Sequence, residues 1–419
     1  MKKVCVIGGG AAGLMAAYAA AEKGHHVVLF EKNEKLGKKI YITGKGRCNF
    51  TNDVAPDEFL HNVVRGEKFL RSAIYSFSSQ KTIEFFENYG LSIKIERGNR
   101  AFPTSDHASD VTKTLEKACK TVGVAVHLNE KVHTIQIKDD NQCSMSDIGI
   151  MPRVVELRTD KETYTFDIAI IATGGLSYPS TGSTGDGYTF AKSLGHSVTD
   201  LKSGLCGLNL EGDSFKQLQG LTLKNVSLRI QTQGKTLYED FGEMLFTHFG
   251  ISGPIVLSAS SVINRQALNA LSATLDLKPA LDEQTLDKRL LRDFEKYKNK
   301  HISNALCELL PQKLIFFVLK ATGIPENKNV NVLTKEERVR LVNTLKNLPL
   351  KLRSLRGFEE AIITSGGVNL AEINPKTMAS KKIPEIKFCG EVLDVDAFTG
   401  GFNMQIAFAT GYAAGSTIV

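Results

Sequence analysis

The chain has 419 residues, 42% of them hydrophobic and 23% charged, with 52 Lys and Arg against 45 Asp and Glu for a formal net charge of +7. That length allows two or three domains with proper cores, and the composition is that of a globular protein rather than a disordered or fibrous one. The modest positive balance permits a polyanionic partner without requiring one. No run of about 18 apolar residues is present, so no membrane-spanning helix is expected. The N-terminal apolar stretch is too short and too glycine-rich for a signal peptide, which leads to an expected cytoplasmic location. Cysteines stand at 5, 48, 119, 143, 206, 307 and 389, none at CxxC spacing. Neither a zinc site nor a disulfide framework is therefore indicated, and no metal ligands are assigned.

Residues Val4 to Gly13 read VCVIGGGAAG and open an alanine-rich helix; Glu31 closes the next apolar run, VVLFE. This is the dinucleotide-binding fingerprint, in which Gly8 allows a sharp turn, Gly10 leaves room for a pyrophosphate, and Gly13 lets helix and strand pack closely. The helix N-terminus offers free N–H groups to phosphates. Glu31, at the ribose-binding position, favours a free 2′-hydroxyl, as in FAD or NAD.

Further along, Arg65 to Tyr89 shows apolar residues at helical spacing, and Ser109 to Val122 reads as a second helix capped by Ser109 or Asp110. Strands are predicted at Val124 to Leu128, Ile135 to Ile137, Val154 to Leu157 and Tyr164 to Phe166. The run DIAIIAT, Asp167 to Thr173, suits a buried parallel strand. Leu205 to Leu275 reads as a small antiparallel β unit, and Leu281 to Leu348 as charge-rich helices broken at Pro311 and Pro325. Strands return at Ala361 to Ser365 and Ile386 to Cys389 before a closing helix, Phe402 to Ser416. The economical reading is a doubly wound α/β domain interrupted by a long insertion.

Four glycine-rich segments add to the fingerprint: TGKGRCNFTN (Thr43 to Asn52), ATGG (Ala172 to Gly175), YPSTGSTGDGY (Tyr178 to Tyr188) and CGEVLDVDAFTGGFNMQIAFATG (Cys389 to Gly411). In the last, Glu391 and Asp394 are acids suited to polyol hydroxyls, and Gly400 and Gly401 open a helix whose N-terminus suits negative charge on a reduced flavin ring.

GKGRCNFTN, ATGG, LFTHFGISGP (Leu245 to Pro254), TSGGV (Thr364 to Val368) and GFNMQIAFATG resemble, in order and over essentially the whole chain, the bacterial aminoacetone-oxidase-like or BaiN/RdsA-type NAD(P)/FAD-dependent oxidoreductases. The resemblance implies a two-segment Rossmann-like FAD-binding domain (1–190 and 360–419), an inserted β-barrel-like domain (191–278 and 349–359) and an inserted helical domain (279–348). It also implies bound FAD. No second GxGxxG is present, which leaves two sources of electrons, NAD(P)H bound transiently at the flavin face or another donor. The candidate cofactor contacts become Gly8, Gly10, Ala11, Ala12, Gly13, Glu31, Lys32, Lys39, Gly46, Arg47, Cys48, Asn49, Val132, Thr173, Gly174, Gly175, Glu391, Asp394, Gly401, Phe402, Asn403 and Gln405.

Activities within that family include reduction of a uridine in large-subunit ribosomal RNA to dihydrouridine and reduction of steroid-like enoyl substrates. The leading expectation is the ribosomal RNA reaction. The alternatives are a small-molecule ene-reductase or amine oxidase, and a non-catalytic flavin- and RNA-binding protein. Delivery of a hydride to a conjugated C=C leaves a proton to be supplied. Cys48 and His248 are the candidate donors, although Lys45 and Arg47 would favour the Cys48 thiolate over the acid. In the insertion, Lys288, Arg289, Arg292, Lys296, Lys298, Lys300, Lys346, Lys351, Arg353 and Arg356 read from sequence alone as a solvated helix face mixed with Asp282, Glu283, Asp287, Asp293 and Glu295, and the resemblance shifts that reading towards a basic face for RNA.

Overall fold

The computed structural model describes residues 1–139 and 153–419; Cys143 lies outside them. The chain forms two compact units, Met1–Lys202 with Ala361–Val419, and Ser203–Glu360.

The first unit is built on a five-stranded parallel sheet of β1 (Lys3–Ile7), β2 (His26–Glu31), β3 (Ala125–Leu128), β4 (Ile168–Ile171) and β5 (Ile386–Phe388), in the order β5-β4-β1-β2-β3. Val4 pairs with Ile168 on one side and Val27 on the other, so the apolar run of β1 is buried at the sheet centre. Helix α1 (Ala11–Glu22) carries the chain from β1 to β2, and α2 (Ala108–Thr121) precedes β3. The chain returns to this sheet after the insertion, and α3 (Phe402–Ser416) closes it. Glycines let α3 lie against α1: a Cβ on Gly411 would come 2.3 Å from Ala12 O, and one on Gly415 the same distance from Ala16 O. The matched four-residue steps make the two helices run parallel. At 1.5 Å per residue the start of α3 therefore projects roughly 12 Å beyond the start of α1.

The segment read as one helix from Arg65 to Tyr89 is two, Glu67–Ser76 and Ser79–Asn88. Ser78 explains the break, because its side chain accepts from Lys81 N–H and starts a new helix. Neither Ser109 nor Asp110 caps α2; its N-cap is His107, and Asp110 accepts from Ser105 instead.

In the second unit seven strands form one antiparallel-paired sheet whose edge strands are Leu348–Leu350 and Leu352–Leu355. Only Lys351 separates these two edges in sequence, so the sheet must curl until its edges meet. Helices Glu283–Lys296, Gln312–Thr322 and Lys335–Lys346 share one hydrophobic core with this sheet, through Leu286, Leu314 and Leu341 beside Leu228, Leu275 and Leu348. The β-rich and helical parts of the insertion, expected as separate domains, thus form a single unit. Apolar residues on both were needed to complete that core.

Candidate functional site

The fingerprint turn lies at the carboxyl ends of the parallel strands. Gly8 has φ +106°, and a Cβ there would sit 2.6 Å from Ala172 O. On Gly13 a Cβ would sit 1.9 Å from Gly8 O, whereas one on Gly10 would meet nothing within 4 Å. The turn is thus tightly packed everywhere except at Gly10, which faces open space. Helix α1 starts at Ala11 and Ala12 with no side-chain cap, leaving its first N–H groups available to an anion.

Glu31, at the end of β2, is 8% exposed. One oxygen accepts from Gly9 N–H at 2.8 Å and the other from Asn33 N–H at the same distance. Its carboxylate is thereby fixed beside the turn, with lone pairs remaining for hydroxyl donors. Val132 is buried at the start of a strand close by, where Glu130 N–H donates to Glu31 O at 3.1 Å.

The second half of the site is held by long-range bonds. Lys39 Nζ donates to Ser177 Oγ and, at 2.8 Å, to Glu391 Oε2. Glu391 Oε1 accepts from Ser177 Oγ and from Thr364 N–H, both at 2.7 Å. Thr364 Oγ1 in turn accepts from the N–H groups of Leu176 and Ser177. Burial pushes the Glu391 carboxyl up, but Lys39 and these hydrogen bonds outweigh it and hold it below the usual carboxylate range. Ser177 and Thr364 were not singled out from the sequence. Each stands in or beside a glycine-rich motif, but their partners lie up to 214 residues away.

Several candidate contacts serve the protein itself. Lys32 pairs with Asp186 at 2.6 Å and so ties β2 to the YPSTGSTGDGY loop. Asp394 accepts from Thr199. Arg47 binds Glu96 and Asp106 and stacks over Phe102, 4.4 Å from its centroid. Asn49 donates to Thr51 O and Ala101 O, Gln405 bridges Thr51 and Phe77 O, and Asn403 holds both N–H and O of Ala397. Phe402 packs edge-on against Phe59. Gly401, with φ +97°, lies against Thr51 O and leaves the start of α3 without a side-chain cap. Gly174, at φ +72°, and Gly175, against Thr364, shape the loop after β4. Beside them Thr173 carries a buried hydroxyl with no partner among the described residues.

Gly44, Lys45 and Gly46 all have positive φ, as does Cys48, so the loop before Asn49 is wound left-handed around its own backbone. Cys48 is fully buried, and burial pushes its thiol up to about 12. The expectation that neighbouring cations favour its thiolate is therefore corrected: Arg47 is neutralised by its carboxylates and Cys48 is enclosed. His248 belongs to the second unit, exposed at a turn and edge-on to Phe249.

A parallel sheet in this strand order, with an uncapped glycine turn and a ribose-side acid, defines a Rossmann-type nucleotide-cofactor enzyme. Over residues 2–417 the chain matches the model of the HI0933-like protein Rossmann domain, and it belongs to that family. It is an FAD-dependent oxidoreductase. It is 31% identical over 420 residues to the 3-dehydro-bile acid delta(4,6)-reductase of Clostridium scindens, covering 99% of this chain and 98% of that protein. It is 28% identical over 415 residues to the ribosomal RNA dihydrouridine synthase of Escherichia coli, covering 99% and 97%. Among solved structures, a 3-ketosteroid-delta4-(5alpha)-dehydrogenase from Rhodococcus jostii shares the fold at TM-score 0.51 and 15% identity, covering 99% of this chain and 96% of that one. No helix among the described residues is long and apolar enough to cross a membrane.

Proposed function

We propose that the protein reduces the C=C of a uridine in large-subunit ribosomal RNA to give dihydrouridine. The observation that carries this reading is full-length similarity to a ribosomal RNA dihydrouridine synthase. The open space at Gly10 and the bare start of α1 fit the pyrophosphate of FAD, and Glu31 fits its adenosine ribose. Bound FAD supplies the two-electron chemistry, with a reduced nicotinamide as the external donor. The uncapped start of α3, with its positive dipole end, would suit negative charge on a reduced ring. The network of Lys39, Ser177, Thr364 and Glu391 fixes the loops between. Cys48 holds its proton too tightly to donate it readily, so exposed His248 is the better candidate for general acid.

A second reading, reduction of a steroid-like enone, draws on the similarity to the bile acid reductase. Mass mapping of ribosomal RNA with and without the gene separates the two. Loss of one dihydrouridine on deletion supports the first. Retention of every ribosomal dihydrouridine, together with turnover of a small enone by the purified protein, replaces it with the second.

A further inference from the structure

The sequence directs attention to the insertion for RNA contacts, yet six of the ten cations named there are engaged by carboxylates. Arg289 and Arg292 bind Asp293, Lys296 binds Glu308, Lys298 binds Glu295, Lys346 binds Asp276 and Arg356 binds Glu360. A cation paired with a carboxylate offers little net charge to a phosphate backbone.

A different cationic surface stands in the cofactor-binding unit. Ile93–Glu96 and Arg100–Pro103 form a hairpin whose tip, Arg97 to Arg100, is exposed throughout. Gly98 and Asn99 both have positive φ and turn the chain sharply there. Inside the hairpin the charges cancel: Arg47 and Lys94 engage Glu96 and Asp106. At its rim they do not. Among the described residues Arg97, Lys45 and Arg100 have no carboxylate partner; Arg100 donates from Nε to Arg97 O and lies over the Phe102 ring, 5.9 Å from its centroid. Lys45 stands on the left-handed loop that Arg47 fastens to this hairpin.

The hairpin is also fixed to the flavin end of the site. Asn52 Nδ2 donates both to Gly98 O at 3.0 Å and to Gly400 O at 2.9 Å. One side-chain amide thus joins the hairpin tip to the start of α3.

We infer that Lys45, Arg97 and Arg100 form the surface that grips the RNA phosphates flanking the nucleotide to be reduced. This rests on the ribosomal RNA reading above. Phosphate contacts position a nucleic acid without reading its sequence. Cations beside the flavin end would hold a polynucleotide in register, whereas a small enone would not need them.

The test is titration of FAD-loaded, full-length protein into a fluorescein-labelled uridine-containing RNA hairpin at several salt concentrations. In Arg97→Ala/Arg100→Ala the dissociation constant is expected to rise about tenfold, and the slope of log affinity on log salt to fall by about 1.5. Flavin absorbance stays at the wild-type level. Arg97→Glu, which spares the Arg100 bond, shows the same direction. A Lys288→Ala/Lys351→Ala control stays at wild-type affinity. Wild-type RNA binding with unchanged affinity in the hairpin variants, or a larger loss in the control, overturns the hairpin assignment and leaves the uridine reading standing. Wild-type protein that does not bind RNA, or that retains polyglutamate more strongly, overturns both.

Discussion

Each glycine of the fingerprint has its own physical reason, and the reasons predict different outcomes. Gly13 and Gly8 are needed by the fold, because a Cβ at either would strike backbone. Gly10 is not: its φ of −85° suits any residue, and a Cβ would meet no protein atom. Gly10→Val is therefore expected to fold, at a cost of about 1 kcal/mol for the changed N-cap, while its side chain fills the pyrophosphate space. The variant should unfold cooperatively and purify without flavin absorbance. Full-strength absorbance would place the cofactor elsewhere. These glycines were legible because the turn itself asks for them, in the positive φ of Gly8 and the contact of Gly13 with Gly8 O, although the backbone that a Cβ on Gly8 would strike belongs to Ala172, far away in sequence. The roles of Ser177 and Thr364 were not, because they exist only once loops far apart in sequence meet around Glu391. Cys48 was misread for a related reason. Its neighbours in sequence are basic, but its neighbours in space are apolar, and space decides the thiol.

At the scale of elements, α3 was read with its observed boundaries, because alanine and glycine mark a helix that must approach another closely. The break at Ser78 was missed because apolar spacing continues across it. What fastens the far end of α3 is equally hidden in sequence. Lys387, on β5, is 3% exposed, and its Nζ donates to Ala414 O at 2.8 Å and to Thr417 Oγ1 at 3.0 Å. Burial lowers this ammonium to about 8 from an ordinary 10.5. Between those values the unfolded chain holds the proton that the native one has released, so this residue's contribution to stability rises with pH. Below about 8 both states are charged and the cost of burying the charge is felt in full. Lys387→Met removes the titration. The unfolding free energy of wild type minus that of the variant, from urea melts, should increase by up to about 3 kcal/mol from pH 7.5 to 10.5. A difference that is flat, or that falls, would show that Lys387 is not desolvated.

At the scale of the whole molecule, division of labour follows from where the chain leaves the cofactor-binding unit and returns to it. The sequence led to the expectation of a two-segment Rossmann domain around an insertion, since the parallel-strand pattern stops and resumes, and the chain forms one compact unit from Met1–Lys202 with Ala361–Val419 and another from Ser203–Glu360. It did not show that the insertion would share one core, because its β and helical stretches each look self-sufficient. The ends of that insertion are adjacent: Arg356 N–H donates to Gly207 O at 3.0 Å, and Leu208 pairs with Leu355. A short Gly/Ser linker can therefore replace residues 208–355 with little strain, and loop-closure entropy changes by only about 0.6 kcal/mol per doubling of length. The fingerprint, Glu31, the Glu391 network and the start of α3 all lie outside the excised stretch. The shortened protein should keep FAD, seen as retained flavin absorbance after gel filtration, and should keep the RNA affinity assigned to the Arg97 hairpin. On the proposal that His248 is the general acid, it should lose turnover. A shortened protein that folds cooperatively without flavin would show that the inserted unit contributes to cofactor binding. One that keeps full turnover would remove His248 from the reaction.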